Sequence, residues 1–252
     1  MRLKGKIVVI AGAGCGFGMS RGFPEAFARE GANLVLNYYL DAPEKMEDFR
    51  KELETNGIHC KLVQGDISNP MTADELINTA IQCFGRIDVL INNAAISEPS
   101  LLKDMSFDMW KRTLDINLNS VFLTCRAAIP HMMEQHYGRI INIASQVGQK
   151  GALEHCHYGA AKAGMIGFTK SLAREVGAYG ITVNCIAPGP IRTQLSKSTS
   201  DEWLAMKEKE LVIPRFGSIE EVLPSAIFLA SEPDGNLFTG QTLGPNCGDV
   251  ML

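Results

Sequence analysis

The chain has 252 residues, 46% of them hydrophobic and 21% charged, with 24 glycines and 11 prolines. Composition this close to the globular average excludes a collagen, a coiled coil and a wholly disordered chain, and a core of this size needs no disulfide or metal to hold it. With 24 basic against 28 acidic residues and a net charge of −4, the chain offers no basic excess for nucleic acid, which leaves an enzyme as the leading class.

Taken in chain order, the apolar run after Lys6 is about six residues long, too short to span a membrane, and no signal-peptide cleavage pattern follows it. Runs rich in Val, Ile and Leu at 7–11, 33–38, 60–64, 89–92, 139–144, 182–186 and 241–243 predict strands. Segments of helical period at 17–30, 43–56, 71–84, 106–135, 157–179, 201–211 and 219–231 predict helices between them. Buried strands alternating with helices give the fold class: α/β, a doubly wound parallel sheet of about seven strands with helices on both faces. No linker interrupts it, so 1–252 reads as a single domain. Pro24 and Pro130 fall inside helical segments and are expected to mark kinks or displaced boundaries. The seven cysteines (Cys15, Cys60, Cys83, Cys125, Cys156, Cys185, Cys247) are odd in number and form no C-x-x-C, which argues against a disulfide framework or a metal site and for a reducing, cytoplasmic setting.

After the first strand, Gly12, Gly16 and Gly18 give G-x-x-x-G-x-G, with Phe17 where the G-x-G-x-x-G fingerprint would need its last glycine. Such a turn lets backbone approach a pyrophosphate at a helix N-terminus. Farther on, Tyr158 and Lys162 stand four apart on one helix face, where an ammonium favours the phenolate and lowers the tyrosine pKa. Ser145 lies just past the strand 139–144, at the sheet edge where doubly wound folds place ligands.

These residues resemble the short-chain dehydrogenase/reductase family over nearly the whole chain. The resemblance implies a Tyr158–Lys162–Ser145 catalytic set completed by Asn117. The phenol would protonate a carbonyl oxygen, Ser145 would hydrogen-bond that oxygen, Lys162 would lower the phenol pKa, and Asn117 would hold a relay water. It further implies a nicotinamide cofactor bound by Gly12, Gly16, Phe17, Gly18, Tyr38, Asp66, Ile67, Asn93, Ala94, Tyr158, Lys162, Pro188, Gly189, Ile191 and Thr193, and a homotetramer. Ala11, Phe17 and Ala95 depart from the family's usual residues.

At the end of the second strand, Tyr38 stands where an acid would select NAD. The Arg or Lys that would welcome a 2′-phosphate is also missing, at Cys15 and Tyr39, while Asp41 lies close by. The missing acid tips the expectation to NADP(H) over NAD(H). Residues 193–214 are expected to cover the substrate on an amphipathic helix, with Leu153, His155, Trp203 and Met206 lining an apolar mouth for a ketone or secondary alcohol. A cofactor-sensing protein without turnover, and an epimerase or dehydratase on the same fold, are the alternatives.

Overall fold

The computed structural model describes residues 1–191 and 201–251, without the side chains at 201–203 and 205. Seven strands form one parallel sheet: β1 (Ile7–Ala11), β2 (Asn33–Tyr38), β3 (Cys60–Gln64), β4 (Val89–Asn92), β5 (Gly138–Ile143), β6 (Ile181–Ile186) and β7 (Thr242–Leu243). Their spatial order is β3-β2-β1-β4-β5-β6-β7, so the winding reverses between β1 and β4. The helices are α1 (Met19–Arg29), α2 (Pro43–Glu54), α3 (Pro70–Phe84), α4 (Phe107–Leu114), α5 (Ser120–Gln135), α6 (Val147–Lys150), α7 (Cys156–Val176), α8 (Asp201–Glu210) and α9 (Ile219–Ala230).

Side-chain alternation along β1 divides the core. Val8 and Ile10 pack with α1, α2 and α9, whereas Ile7, Val9 and Ala11 pack with α3, α5 and α7. Helix ends follow local chemistry. Asn69 accepts a hydrogen bond from the Met71 N–H ahead of Pro70, Ser106 accepts from Met109 N–H, and Ser218 with Glu221 forms a capping box on α9.

Two expectations change. The helix predicted over 106–135 is broken at Asp115–Asn119 by a wider π turn, a feature frequent at functional sites. Pro24 and Pro130 do not displace a boundary; each lies inside a continuous helix. At Pro24 the physical reason is visible. The proline offers no N–H to the Ser20 carbonyl, and that carbonyl instead accepts the Gly14 N–H at 3.0 Å. Pro130 lies on the exposed side of α5.

Beneath the C-terminal sheet edge runs a buried polar ladder. Thr124 on α5 donates to Asn92 (2.7 Å), Asn92 donates to Asn142 (2.8 Å), and Asn142 donates to Thr169 on α7 (2.8 Å). Asn92 and Asn142 are direct partners across β4 and β5, and Thr169 also meets the Cys185 sulfur on β6 at 3.1 Å. Asn142→Ala strands the Asn92 amide and its own neighbour Thr169, and should cost about 2–4 kcal/mol. Urea unfolding should show a lower midpoint at unchanged slope; a change below about 0.5 kcal/mol would show that the ladder does not hold these layers together.

Candidate active site

The glycine turn leaves β1 at the point where the sheet reverses. Gly12 has φ +84°, and a Cβ there would lie 2.5 Å from the Ala94 Cα, so only glycine lets the turn pass the β4 loop. Asn37 pins it from β2. Its Oδ1 accepts the Gly12 N–H (3.3 Å), its carbonyl accepts Ala13 N–H (2.8 Å), and its amide donates to Gly65 on the β3 side (2.9 Å). The Asn93 and Ala94 N–H groups both donate to Ala11, and the Asn93 amide donates to Gly12. At Gly16 and Gly18 a Cβ would meet nothing within 4 Å, and α1 starts on Gly18 without a side-chain cap. The outer side of the turn is therefore open, as a phosphate at the helix N-terminus requires.

Beside the turn lies a cleft of about 310 Å³, large enough for part of a small-molecule ligand. Gly12, Asp66, Ile67, Asn93 and Ala94, all named in the sequence analysis, line it. Asn37, Tyr39, Asp41 and Arg112 line it as well. Tyr38 does not: its ring packs into the core with Met46 and Phe49. The reason is strand alternation, which turns Asn37 and Tyr39 one way and Tyr38 the other. Both Asp66 oxygens are engaged, one by Ser68 (2.6 Å) and one by Arg112 (2.6 Å).

At the other side of the sheet edge Ser145, Tyr158 and Lys162 lie together, and Asn117 is buried in the π turn of the neighbouring helix. Lys162 is fully buried and its ammonium donates to the Ile143 carbonyl at the end of β5, at 2.7 Å. The same nitrogen lies 5.6 Å from the Tyr158 ring centre. The Ser145 hydroxyl accepts the Val147 N–H (3.1 Å) and lies close enough to the Tyr158 phenol to act on its pKa. Asn117 sits in the π turn, with its amide donating to Ile96 (2.9 Å) and Thr113 (3.0 Å); its buried Oδ1 has no hydrogen-bond partner among the described residues. α6 lies against α7 because of Gly148, where a Cβ would be 2.6 Å from the Lys162 carbonyl carbon.

The electrostatics correct one expectation. Burial raises the Tyr158 pKa above the usual phenol value, with the Ser145 hydrogen bond opposing it. Burial also pulls Lys162 down to about 8. In the chain alone, desolvation therefore outweighs the lowering of the phenol that the four-residue spacing predicts.

The remaining expected residues are dispersed. Phe17 is exposed beside Gly18, away from the cleft, in a groove with Arg21 and Leu223. Gln146 N–H binds the Pro188 carbonyl. Gly189 is demanded by packing, since a Cβ would lie 2.5 Å from the Asn246 Cα. Ile191 pairs with Gly217 in a parallel bridge. Thr193 and the Trp203 side chain lie outside the described residues. His155 stands edge-on to Tyr158 with ring centres 6.1 Å apart, whereas Leu153 is 81% exposed. Met206 on α8 is 53% exposed and Leu211 just beyond it is buried, so these apolar residues do not share one buried face. His157, which sequence reasoning passed over, is fully buried, and neither ring nitrogen has a hydrogen-bond partner among the described residues. Asn37 was legible in principle, as a polar residue inside the apolar run of β2.

The family model described as short chain dehydrogenase matches residues 6–203. The chain belongs to the short-chain dehydrogenase family. Among curated proteins, a 3-oxoacyl-[acyl-carrier-protein] reductase of Synechocystis is 37% identical over 250 residues, 99% of each chain. One of Vibrio cholerae is 36% identical over 253 residues, all of both chains, and one of Staphylococcus aureus 36% over 246 residues, 98% of each. The short-chain dehydrogenase is thus an oxidoreductase of C=O and CH–OH groups that works with a nicotinamide cofactor. No helix among its described residues is long and apolar enough to cross a membrane. In this short-chain dehydrogenase, Gly148→Ala should push α6, and Ser145 with it, off α7. Turnover is expected to fall on the order of 10- to 100-fold with dinucleotide affinity retained; unchanged turnover would show that this contact does not place Ser145.

Proposed function

We propose that the protein reduces a ketone to a secondary alcohol, with Tyr158 as the proton donor. The observation that carries this reading is the buried Lys162 ammonium held between the Ile143 carbonyl and the Tyr158 ring, with Ser145 beside the same tyrosine. The bound nicotinamide supplies hydride to the carbonyl carbon. Gly12, Gly16 and Gly18 hold its pyrophosphate end, and Asp66, Ile67, Asn93 and Ala94 line the cleft for the adenosine. Ser145 donates to the carbonyl oxygen and stabilises the charge that develops there. Tyr158 delivers its proton to that oxygen; its raised pKa keeps the proton in place at neutral pH. Lys162 returns a proton toward the phenol, and a water on the free Asn117 oxygen connects that route to solvent. Assembly as a homotetramer in the cytoplasm, from one domain spanning 1–252, is supported by family membership.

A 3-oxoacyl thioester is the substrate class supported by the names of the relatives, all similar over essentially the whole chain. The first test is a screen of 3-oxoacyl thioesters and simple ketones with NADH and NADPH. Loss of cofactor absorbance with alcohol formation is expected. Dinucleotide binding without turnover would favour a sensor, and product formation at constant absorbance would favour an epimerase or dehydratase.

Tyr158→Phe should lower turnover by about 10²–10⁴ while leaving dinucleotide affinity within roughly twofold; turnover near wild type would remove Tyr158 from the mechanism. Lys162 carries its proton below about 8 and loses it above. Reduction should accordingly decline as pH rises through about 8, with the reverse oxidation climbing over the same range. Steady-state profiles in both directions check this, and Lys162→Met should erase the limb.

A further inference from the structure

None of the described side chains of α8 is buried, so no apolar stripe fastens this helix to the body. Charge fastens it instead. The Lys207 ammonium donates to Asp249 Oδ1 at 3.1 Å and to Glu210 on its own helix at 2.8 Å. The same Asp249 oxygen accepts the Lys150 ammonium, at the end of α6, at 2.5 Å. The Asp249 side chain is 3% exposed and that of Lys207 11%, so this three-membered bridge lies largely out of water. Removing one member of such a bridge costs far more than it would at the surface. Burial works against the charge on Asp249, yet the Lys150 and Lys207 ammoniums hold its carboxyl below the usual carboxylate range. It is therefore ionised at neutral pH.

Both ends of the bridge reach the candidate active site. On the α6 side, the Ser145 carbonyl accepts the Gly148 N–H and the Gln146 carbonyl accepts the Lys150 N–H, each at 3.0 Å. With the Ser145 hydroxyl on the Val147 N–H, Lys150 belongs to the same small turn as Ser145. Behind Asp249, Asn246 folds the C-terminal tail. Its carbonyl accepts the Asp249 N–H, its Oδ1 accepts the Gly248 N–H, and its amide donates to Val250. The tail is keyed in on either side. The Pro245 carbonyl accepts the Gly189 N–H at 3.1 Å, and the Cys247 carbonyl accepts the Ile213 N–H, just past α8, at 3.0 Å. One buried carboxylate thus joins α8, the Ser145 turn and the tail.

We propose that Asp249 is a positioning residue, which by pairing with Lys150 and Lys207 fixes α8 relative to the Ser145 turn and so sets how tightly the ketone substrate is held. This rests on reading Ser145 and Tyr158 as the reacting edge and 193–214 as its cover. A cover already in place loses less freedom when substrate binds. Asp249 makes no hydrogen bond to Tyr158 or Lys162 among the described residues and does not line the dinucleotide cleft. Its effect therefore falls on substrate affinity and not on proton transfer or dinucleotide binding.

Two measurements on the full-length protein test this. Hydrogen exchange read by mass spectrometry needs no substrate, and Asp249→Asn should speed exchange across 204–213 at least about tenfold while leaving the strands unchanged. Steady-state reduction of acetoacetyl-coenzyme A, a 3-oxoacyl thioester, or of whichever ketone turns over if that one is inert, should show KM raised on the order of tenfold. The kcat and the dinucleotide affinity should stay within about twofold. Asp249→Glu should recover most of the loss. Lys207→Met should reproduce it, and the double variant should exceed neither single change by more than about twofold. Exchange or KM at its wild-type value in Asp249→Asn overturns the assignment. So does a joint fall in kcat, dinucleotide affinity and thermal midpoint, which marks a merely structural residue. Turnover of no ketone by the wild type overturns the reading of the site and this assignment with it.

Discussion

A buried ammonium needs a partner, and in this protein the requirement organises the catalytic edge. Lys162 is fully enclosed, and an isolated charge in such surroundings is far more costly than a paired one. The Ile143 carbonyl meets it because β5 ends there and offers an oxygen that the sheet no longer uses. That bond fixes the depth of α7 against the sheet. With α7 set, Tyr158 stands one turn nearer the helix start, and Gly148 lets α6 close against the same stretch, which keeps Ser145 on the Tyr158 side. The π turn on the neighbouring helix brings Asn117 inward.

The polar ladder beneath performs the same service for the layers. Thr124, Asn92, Asn142 and Thr169 fasten α5 and α7 to two adjacent strands, so α7, which carries Lys162, and α5, which follows directly on the π turn of Asn117, share one internal scaffold. On the other side of the reversal Asn37 plays a comparable part, joining the glycine turn to both β2 and the β3 exit. Rigid elements around an open cleft are what positioning of a hydride acceptor demands.

Much of this was readable from residues alone. The central strands stand out because burial on both faces makes them rich in Val, Ile and Leu, and the tyrosine–lysine spacing is a property of the helix itself. What escaped has physical reasons. The π turn leaves no compositional mark in 106–135. The side of the sheet taken by Tyr38 depends on a register that sequence spacing does not set. The sign of the Tyr158 shift depends on burial, which only the packed structure supplies. Asp41 and Cys15 are 26 residues apart and meet only after β1 and β2 pair. His157 has no periodic signature beyond sitting one residue before Tyr158.

Pro24 ties two regions that are otherwise treated separately. The donor it withholds leaves the Ser20 carbonyl free to accept the Gly14 N–H. A replacement that restores an ordinary helical donor at this position would improve α1 by the usual measures of helix engineering. It would also set the helix and the nucleotide loop competing for one acceptor. In this fold, then, a routine stabilising exchange is a route to a firmer helix and a looser loop, and thermal tolerance and ligand affinity need not rise together.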